Sequence, residues 1–456
     1  MRTRSRVVVG TARWAVPWSL AVLAVIAVCN PATGQVFQQS RAVGGIAVDV
    51  EGILNNAALD DLGELSRLRA EGIDEIPADL AGAVQLRKMS LRRLEAAIQA
   101  HRGEKLLPDE IRYLAGLQQI RYVFVYPEQG DIVLVGPGEG WKADQRGNVV
   151  GVTTGRPVML LDDLLVALRT AHQAARGGIS CSIDPTQEGL ARLQRHVAGL
   201  RQMGNPQATA AGIEQALGPQ RITVQGVPAS SHFARVLVAA DYRMKRLAMK
   251  FDPTPIRELP SFLDMIPASG RGMSNMLPRW WLEPNYEPIV KSSDGLAWEL
   301  RGASVKCMTE SDFVAASGRK QVGAKASPMA QRWADNMTEH YNELAVAEPI
   351  FGELRNCMEL AIVAALVAKE RLTERAGYSM PLLTDPADVA VVEFPAPRQV
   401  DSKVSFVRKR GGWVISASGG VMLNSWQVAD RTQQDAAPAE VRTKSASTEN
   451  TNWWWN

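Results

Sequence analysis

Near residue 120 the spacing of apolar residues changes from about 3.6 to about 2, and that switch constrains the fold more than any other feature of the chain. Upstream, Leu62, Leu65 and Leu68 share one stripe, Leu80, Val84, Leu91, Leu94 and Ile98 share another, and Pro108-Asp109-Glu110 opens a further helix. This spacing predicts a mainly helical N-terminal region over residues 35–116. Downstream, Arg121–Tyr126 and Asp131–Val135 alternate as strands and are joined by Pro127-Glu128-Gln129-Gly130, so they predict a hairpin, which Asn148–Thr153 extends. A chain that carries both periods in succession must be α+β or mixed α/β.

The alternation of helix and strand continues through a core expected over 117–252. Leu161, Leu165, Leu168 and His172 mark an amphipathic helix that stops at Gly177-Gly178. Ile179, Cys181 and Ile183 alternate with Ser180 and Ser182 as a half-buried strand. Asp184-Pro185-Thr186-Gln187 supplies an N-cap, a first-turn proline and a capping-box Gln for a helix faced by Leu190, Leu193, Val197 and Leu200. Ile222–Val227 is a further strand. Ser230-Ser231 caps a helix marked by Phe233, Val236, Ala240, Met244, Leu247 and Phe251, on which Arg243, Lys245 and Arg246 read as a solvated face.

Residues 253–428 read as a Pro- and Trp-rich connection, a hairpin turned by Ser293-Asp294-Gly295, a pair of helices separated by Pro349, and two strands at Val404–Val407 and Trp413–Ser416. From Ala429 to Asn456 the polar composition predicts a disordered tail, ending in Trp453-Trp454-Trp455, whose role the pattern leaves open.

The N-terminus has the form of a secretory signal. Arg2, Arg4, Arg6 and Arg13 precede the apolar run Ala15–Cys29, and Ala32-Thr33-Gly34 offers a cleavage site, so residues 1–34 are expected to be removed. Those four arginines, with no acid among them, account for the net charge of +3 and leave −1 on the rest. A balanced chain without a basic run excludes nucleic-acid partners of the phosphate-binding kind. The apolar run Cys357–Ala368 is too short to span a bilayer and contains Glu359, so no transmembrane span is expected after cleavage. An exported chain of this kind is expected in the periplasm, the cell envelope or outside the cell.

Chemistry-bearing patterns are sparse. His101, His172, His196, His232 and His340 form no i,i+4 pair and the cysteines form no CxxC, so neither a metal nor another cofactor is expected. Cys181, Cys307 and Cys357 allow one disulfide at most. Gly136-Pro137-Gly138-Glu139-Gly140 follows a strand but leads into another, so it reads as a β turn rather than a phosphate cradle. Cys181 could act as a nucleophile with His172 or His232 as its base, yet its alternation with Ile179 and Ile183 makes it a core residue. His232, in the first turn of its helix, would be kept neutral by the dipole, with Ser231 and Asp241 near it in sequence. Trp280, Trp281 and Tyr286 could form an aromatic platform for a ligand, or pack between domains.

The stretches Gly44–Asp49, Tyr122–Trp141, Ile179–Pro185, Ser231–Met249, Pro278–Pro284, Leu296–Gly302 and Ile415–Gly420 resemble a domain-of-unknown-function family of exported planctomycete proteins. The resemblance implies export and one extended module that ends before the tail, and it carries no activity or catalytic residue. The sequence thus leads to an exported envelope protein that works by binding or assembly, its partner an envelope protein or an extracellular ligand, with no pattern specifying an oligomeric state. The alternative is an exported hydrolase with a site near Cys181, His232 and Asp241.

Overall fold

The computed structural model describes residues 46–49, 52–56, 72–104, 106–199, 205–266, 278–314, 320–324, 328–405, 418–446 and 452–456. The signal segment, the Leu62–Leu68 stripe and the strand expected at Trp413–Ser416 lie outside them. The described residues form an α+β fold around two large mixed sheets.

The nine-stranded sheet runs in the order Ile46–Val48, Ile53–Asn56, Gln399–Val400, Gln220–Gln225, Ile179–Pro185, Ser418–Leu423, Arg279–Asn285, Ser304–Val314 and Lys320–Ala324. At its centre Ser418–Leu423 lies antiparallel to Ile179–Pro185, with Val421 opposite Cys181, and parallel to Arg279–Asn285. Only glycine fits at two of these central positions. A Cβ on Gly420 would stand 2.0 Å from the Cys181 carbonyl oxygen, and one on Gly419 would stand 1.6 Å from that of Trp280.

The seven-stranded sheet runs Thr432–Gln434, Ile289–Lys291, Ala297–Glu299, Tyr122–Tyr126, Asp131–Gly138, Val84–Ser90 and Trp454–Trp455. Both predicted hairpins are here: Tyr126 pairs with Asp131, and Lys291 with Trp298. Each sheet draws strands from well-separated parts of the sequence, so the linear segments 35–116, 117–252 and 253–428 do not partition the structure.

Four local expectations are corrected. Val84–Ser90 is a strand, although Val84 shares a helical stripe with Leu80 and Leu91, because its edge pairs with Asp131–Gly138, and the helix begins only at Leu91. There Ser90 Oγ caps by accepting the Arg93 N–H at 3.1 Å. Val149–Gly151 pairs with Trp141–Ala143 in a separate two-stranded sheet rather than extending the hairpin. The helix after Ile183 begins at Gln187, and Thr186 rather than Asp184 takes the Gly189 N–H, because Pro185 still belongs to the strand.

The fourth correction concerns the tail. Residues 437–445 form a helix, and Trp454-Trp455 pair with Met89 and Lys88 of the strand Val84–Ser90. Polar composition misled here because the three tryptophans at the very end supply the burial that the preceding residues lack; all three are buried.

Three helices carry the site: α1 (Leu161–Gly177), α2 (His232–Ala248) and α3 (Pro349–Lys369). Helix α1 ends at Gly178 in a positive-φ conformation, as its glycines predict. Helix α2 lies across the strands Ile179–Pro185 and Ser418–Leu423 and is covered from the other side by α1 and α3. That sandwiching is why its Val236–Ala240 run is apolar all round and still helical. No described helix is long and apolar enough to cross a membrane.

Candidate functional site

Where α1 and α2 begin and the first turns of α3 pass, the structure forms a half-open cavity of about 640 Å³, within the range typical of small-molecule sites. Its polar wall is built from Asp162 and Asp163 of α1, His232 of α2, and Glu353 and Asn356 of α3. Leu160, Val158, Val392 and Phe394 are among its apolar lining. Local sequence explains each placement. Two aspartates in the first turn of α1 complement the positive end of its dipole. His232 is the first residue of α2, fixed there because Ser231 Oγ accepts the Ala234 N–H at 3.1 Å. Glu353 and Asn356 are three residues apart on α3 and so share one face.

His232 Nδ1 lies 3.0 Å from Asp163 Oδ2, with the histidine 7% and the aspartate 4% exposed. Burial alone would depress the imidazolium, but the Asp163 carboxylate outweighs it and lifts the His232 pKa to about 9. The neutral base expected from the helix dipole is therefore a cation at neutral pH: a full charge at contact distance overrides the half-charge of a helix end. Phe394 packs edge-on against the ring, their centroids 5.3 Å apart.

The remaining acids lack such a partner. Burial, reinforced by the Asp163 charge, raises Asp162 to about 6. Glu353 is raised to about 7, by burial first and then by Asp163 and Asp144, against the opposing pull of His232. Glu353 Oε2 and Asn356 Oδ1 are buried with no hydrogen-bond partner among the described residues. Asn356, only 3% exposed, is anchored through Nδ2, which donates to the Pro157 carbonyl at 3.0 Å. Two orphaned acceptors in one cavity wall are costly unless something else satisfies them.

The residues singled out in the sequence do not converge. His232 and Asp241 sit nine residues apart on α2, about 13 Å along its axis. Asp241 is buried midway along the helix, where its Oδ2 accepts from Lys245 Nζ at 2.8 Å and Lys245 also donates to the Ile183 carbonyl. Burial raises Asp241 to about 6, against the opposing pull of Lys245. Lys245 is thus part of a buried pair and not of a solvated face, while Arg243 and Arg246 both bind Asp252. Cys181 is 2% exposed and, like Cys307 and Cys357, a free thiol. Burial, with Asp241 nearby, pushes the Cys181 thiol well above its ordinary range. His172 packs near Trp426 instead.

Nor do the aromatic residues form an open platform. Trp280 is fully buried between Phe262 and Trp333, Trp281 is half-buried with Nε1 donating to Glu283, and the buried Tyr286 hydroxyl donates to Glu359. The glycine-rich run after Val135 is explained by packing: a Cβ on Gly136 would meet the Gln119 carbonyl oxygen at 1.8 Å. Glu139 in turn accepts the Thr153 and Thr154 N–H groups. Among the described residues no group of three or more His, Cys, Asp or Glu side chains is placed to hold a metal ion.

Iodoacetamide is therefore expected to leave Cys181 unmodified in the native protein and to label it after denaturation, read by peptide mass spectrometry. Cys181→Ser should cost roughly 1–3 kcal/mol as an unpaired hydroxyl in an apolar site, and Cys181→Ala less. Rapid native labelling that disappears in His232→Ala would show an activated thiolate and contradict this placement.

The molecule is thus an α+β protein with an acidic cavity bordered by three helix segments. Residues 181–262, which include His232 and Asp241 but neither Asp163 nor Glu353, match a family model described as a protein of unknown function (DUF1598). The chain matches none of the curated proteins and none of the solved structures with which it was compared.

Proposed function

We propose that this is an exported protein of the cell envelope that binds a small polar ligand in the cavity between α1, α2 and α3. The observation that carries the reading is the pair of buried, partnerless acceptors, Glu353 Oε2 and Asn356 Oδ1, in the wall of a cavity of about 640 Å³. Unmet acceptors beside space for a ligand can be met by that ligand. Binding is favoured over hydrolysis because Asp241, with Cys181 near it, lies nine residues along α2 from His232, and because His232 is held as a cation by Asp163. Export rests on the arginines and apolar run of the first 34 residues.

Thermal melts with millimolar primary amines, polyols and carboxylic acids test the binding. One class should raise the melting temperature, since a ligand at a hundred times its Kd stabilises by about 2.7 kcal/mol. Glu353→Gln should weaken the effect. If no class raises it, the cavity is not a ligand site.

A further inference from the structure

The cavity also carries an imbalance of charge. Its basic residues are committed: Arg112 binds Asp109 at 2.6 Å, Arg102 binds Asp388 at 3.2 Å, and His101 contacts Glu104 at 2.9 Å. Deeper in, three carboxylates, Asp162, Asp163 and Glu353, share one cation, His232, which contacts Asp163. Asp162 and Glu353 are thus left without a full positive partner, and the partnerless Asn356 Oδ1 adds a third acceptor to the same wall. Both of the buried partnerless atoms in this wall, Glu353 Oε2 and Asn356 Oδ1, are acceptors among the described residues, and they call for a donor on the ligand. An ammonium group brings three N–H donors, no acceptor, and the missing charge. Beside these polar groups, Leu160, Val158, Val392 and Phe394 offer an apolar surface to the rest of the ligand.

We propose that the cavity binds a primary organic ammonium ion with an apolar body, its three N–H groups directed at Glu353, Asp162 and Asn356 Oδ1. This rests on the reading of the cavity as a ligand site. A polyol would satisfy the acceptors but leave its own hydroxyl oxygens facing carboxylates and the uncompensated charge in place. An organic anion would meet three carboxylates.

Isothermal titration of the full chain at pH 8 with 1-aminohexane hydrochloride, hexan-1-ol and sodium hexanoate separates these cases, because the three probes share one apolar body. The ammonium should bind at least about tenfold more tightly than the alcohol, and the carboxylate should give no binding heat. Glu353→Gln and Asp162→Asn should each weaken the ammonium by about tenfold, with circular dichroism reporting their folding. Should either variant fail to fold, the comparison of the three probes on the unmodified protein still decides. Binding of hexanol or hexanoate as tightly as the ammonium, or ammonium binding unchanged in both folded variants, would overturn the cation assignment while leaving a ligand cavity. No binding by any probe would overturn both.

Discussion

Deleting residues 452–456 is expected to lower the melting temperature by at least about 5 °C and to promote self-association. The segment closes one edge of the seven-stranded sheet: Trp454 and Trp455 pair with Met89 and Lys88, and the Ser90 N–H donates to the Trp453 carbonyl at 2.9 Å. Trp455 packs with Phe124, Tyr126 and Val133 on one face, while Trp453 and Trp454 belong to the main core. The last residue also matters, since the fully buried Arg87 donates from Nε to Asn456 Oδ1 at 2.9 Å. Removing one buried tryptophan alone costs about 3–5 kcal/mol, a large part of the 5–15 kcal/mol that ordinarily separates folded from unfolded. The deletion removes three, takes an acceptor from a buried guanidinium, and bares an edge strand open to pairing with another chain. Trp454→Ala should reproduce part of the loss without shortening the chain. An unchanged melting temperature for both variants, measured by calorimetry, would mean that the strand does not hold this edge.

That terminus shows where sequence patterns inform and where they mislead. Hairpins, α1 with its glycine stop, the Ile179 strand and α2 with its Ser231 cap were legible because each rests on local chemistry: a turn residue, a cap, one consistent period. Val84–Ser90 was not, because the choice between strand and helix there was made by pairing with Asp131–Gly138, a partner more than forty residues away. The tail failed for the same reason, its strand partner lying more than 360 residues upstream.

The site was half legible. His232 stood out as a capped histidine at a helix start, but its partner Asp163 lies 69 residues earlier in an acidic first turn that reads as ordinary dipole complementation. The signal that was present is on α3. Glu353, Asn356 and Glu359 recur every three residues, with Arg355 beside them, in a helix otherwise apolar as far as Lys369, and polar groups inside a buried helix need partners. Glu359 has them, accepting from the Ile120 N–H at 2.7 Å and from the Tyr286 hydroxyl. Glu353 Oε2 has none among the described residues, and unlike Glu359 it lines the cavity.

Those same buried acids predict that the protein becomes less stable as pH rises from about 5 to 9. Burial lifts Asp162 and Asp241 to about 6 and Glu353 and Glu359 to about 7, while Asp163, working against burial, holds His232 at about 9. All five bind protons more tightly folded than unfolded. Their contribution is complete below the unfolded values and is lost as pH climbs through 6, 7 and 9, the folded state then giving up protons at greater cost. Carboxylates held low against the pull of burial by hydrogen bonds, such as Glu139 with Thr154 and Asp252 with Arg246, act in the opposite sense only in acid. The groups around Glu353 are His232, Asp162, Asp163 and Asp144, three of them negative, so ionising it adds repulsion that a single imidazolium does not cancel. Glu353→Gln keeps the shape and removes the ionisation. The variant should match the parent in stability at pH 5 and exceed it by on the order of 2 kcal/mol at pH 9, in urea unfolding of the ligand-free protein. A variant weaker than the parent at pH 9 would mean that ionised Glu353 is held by a cation, and that the cavity needs none from a ligand.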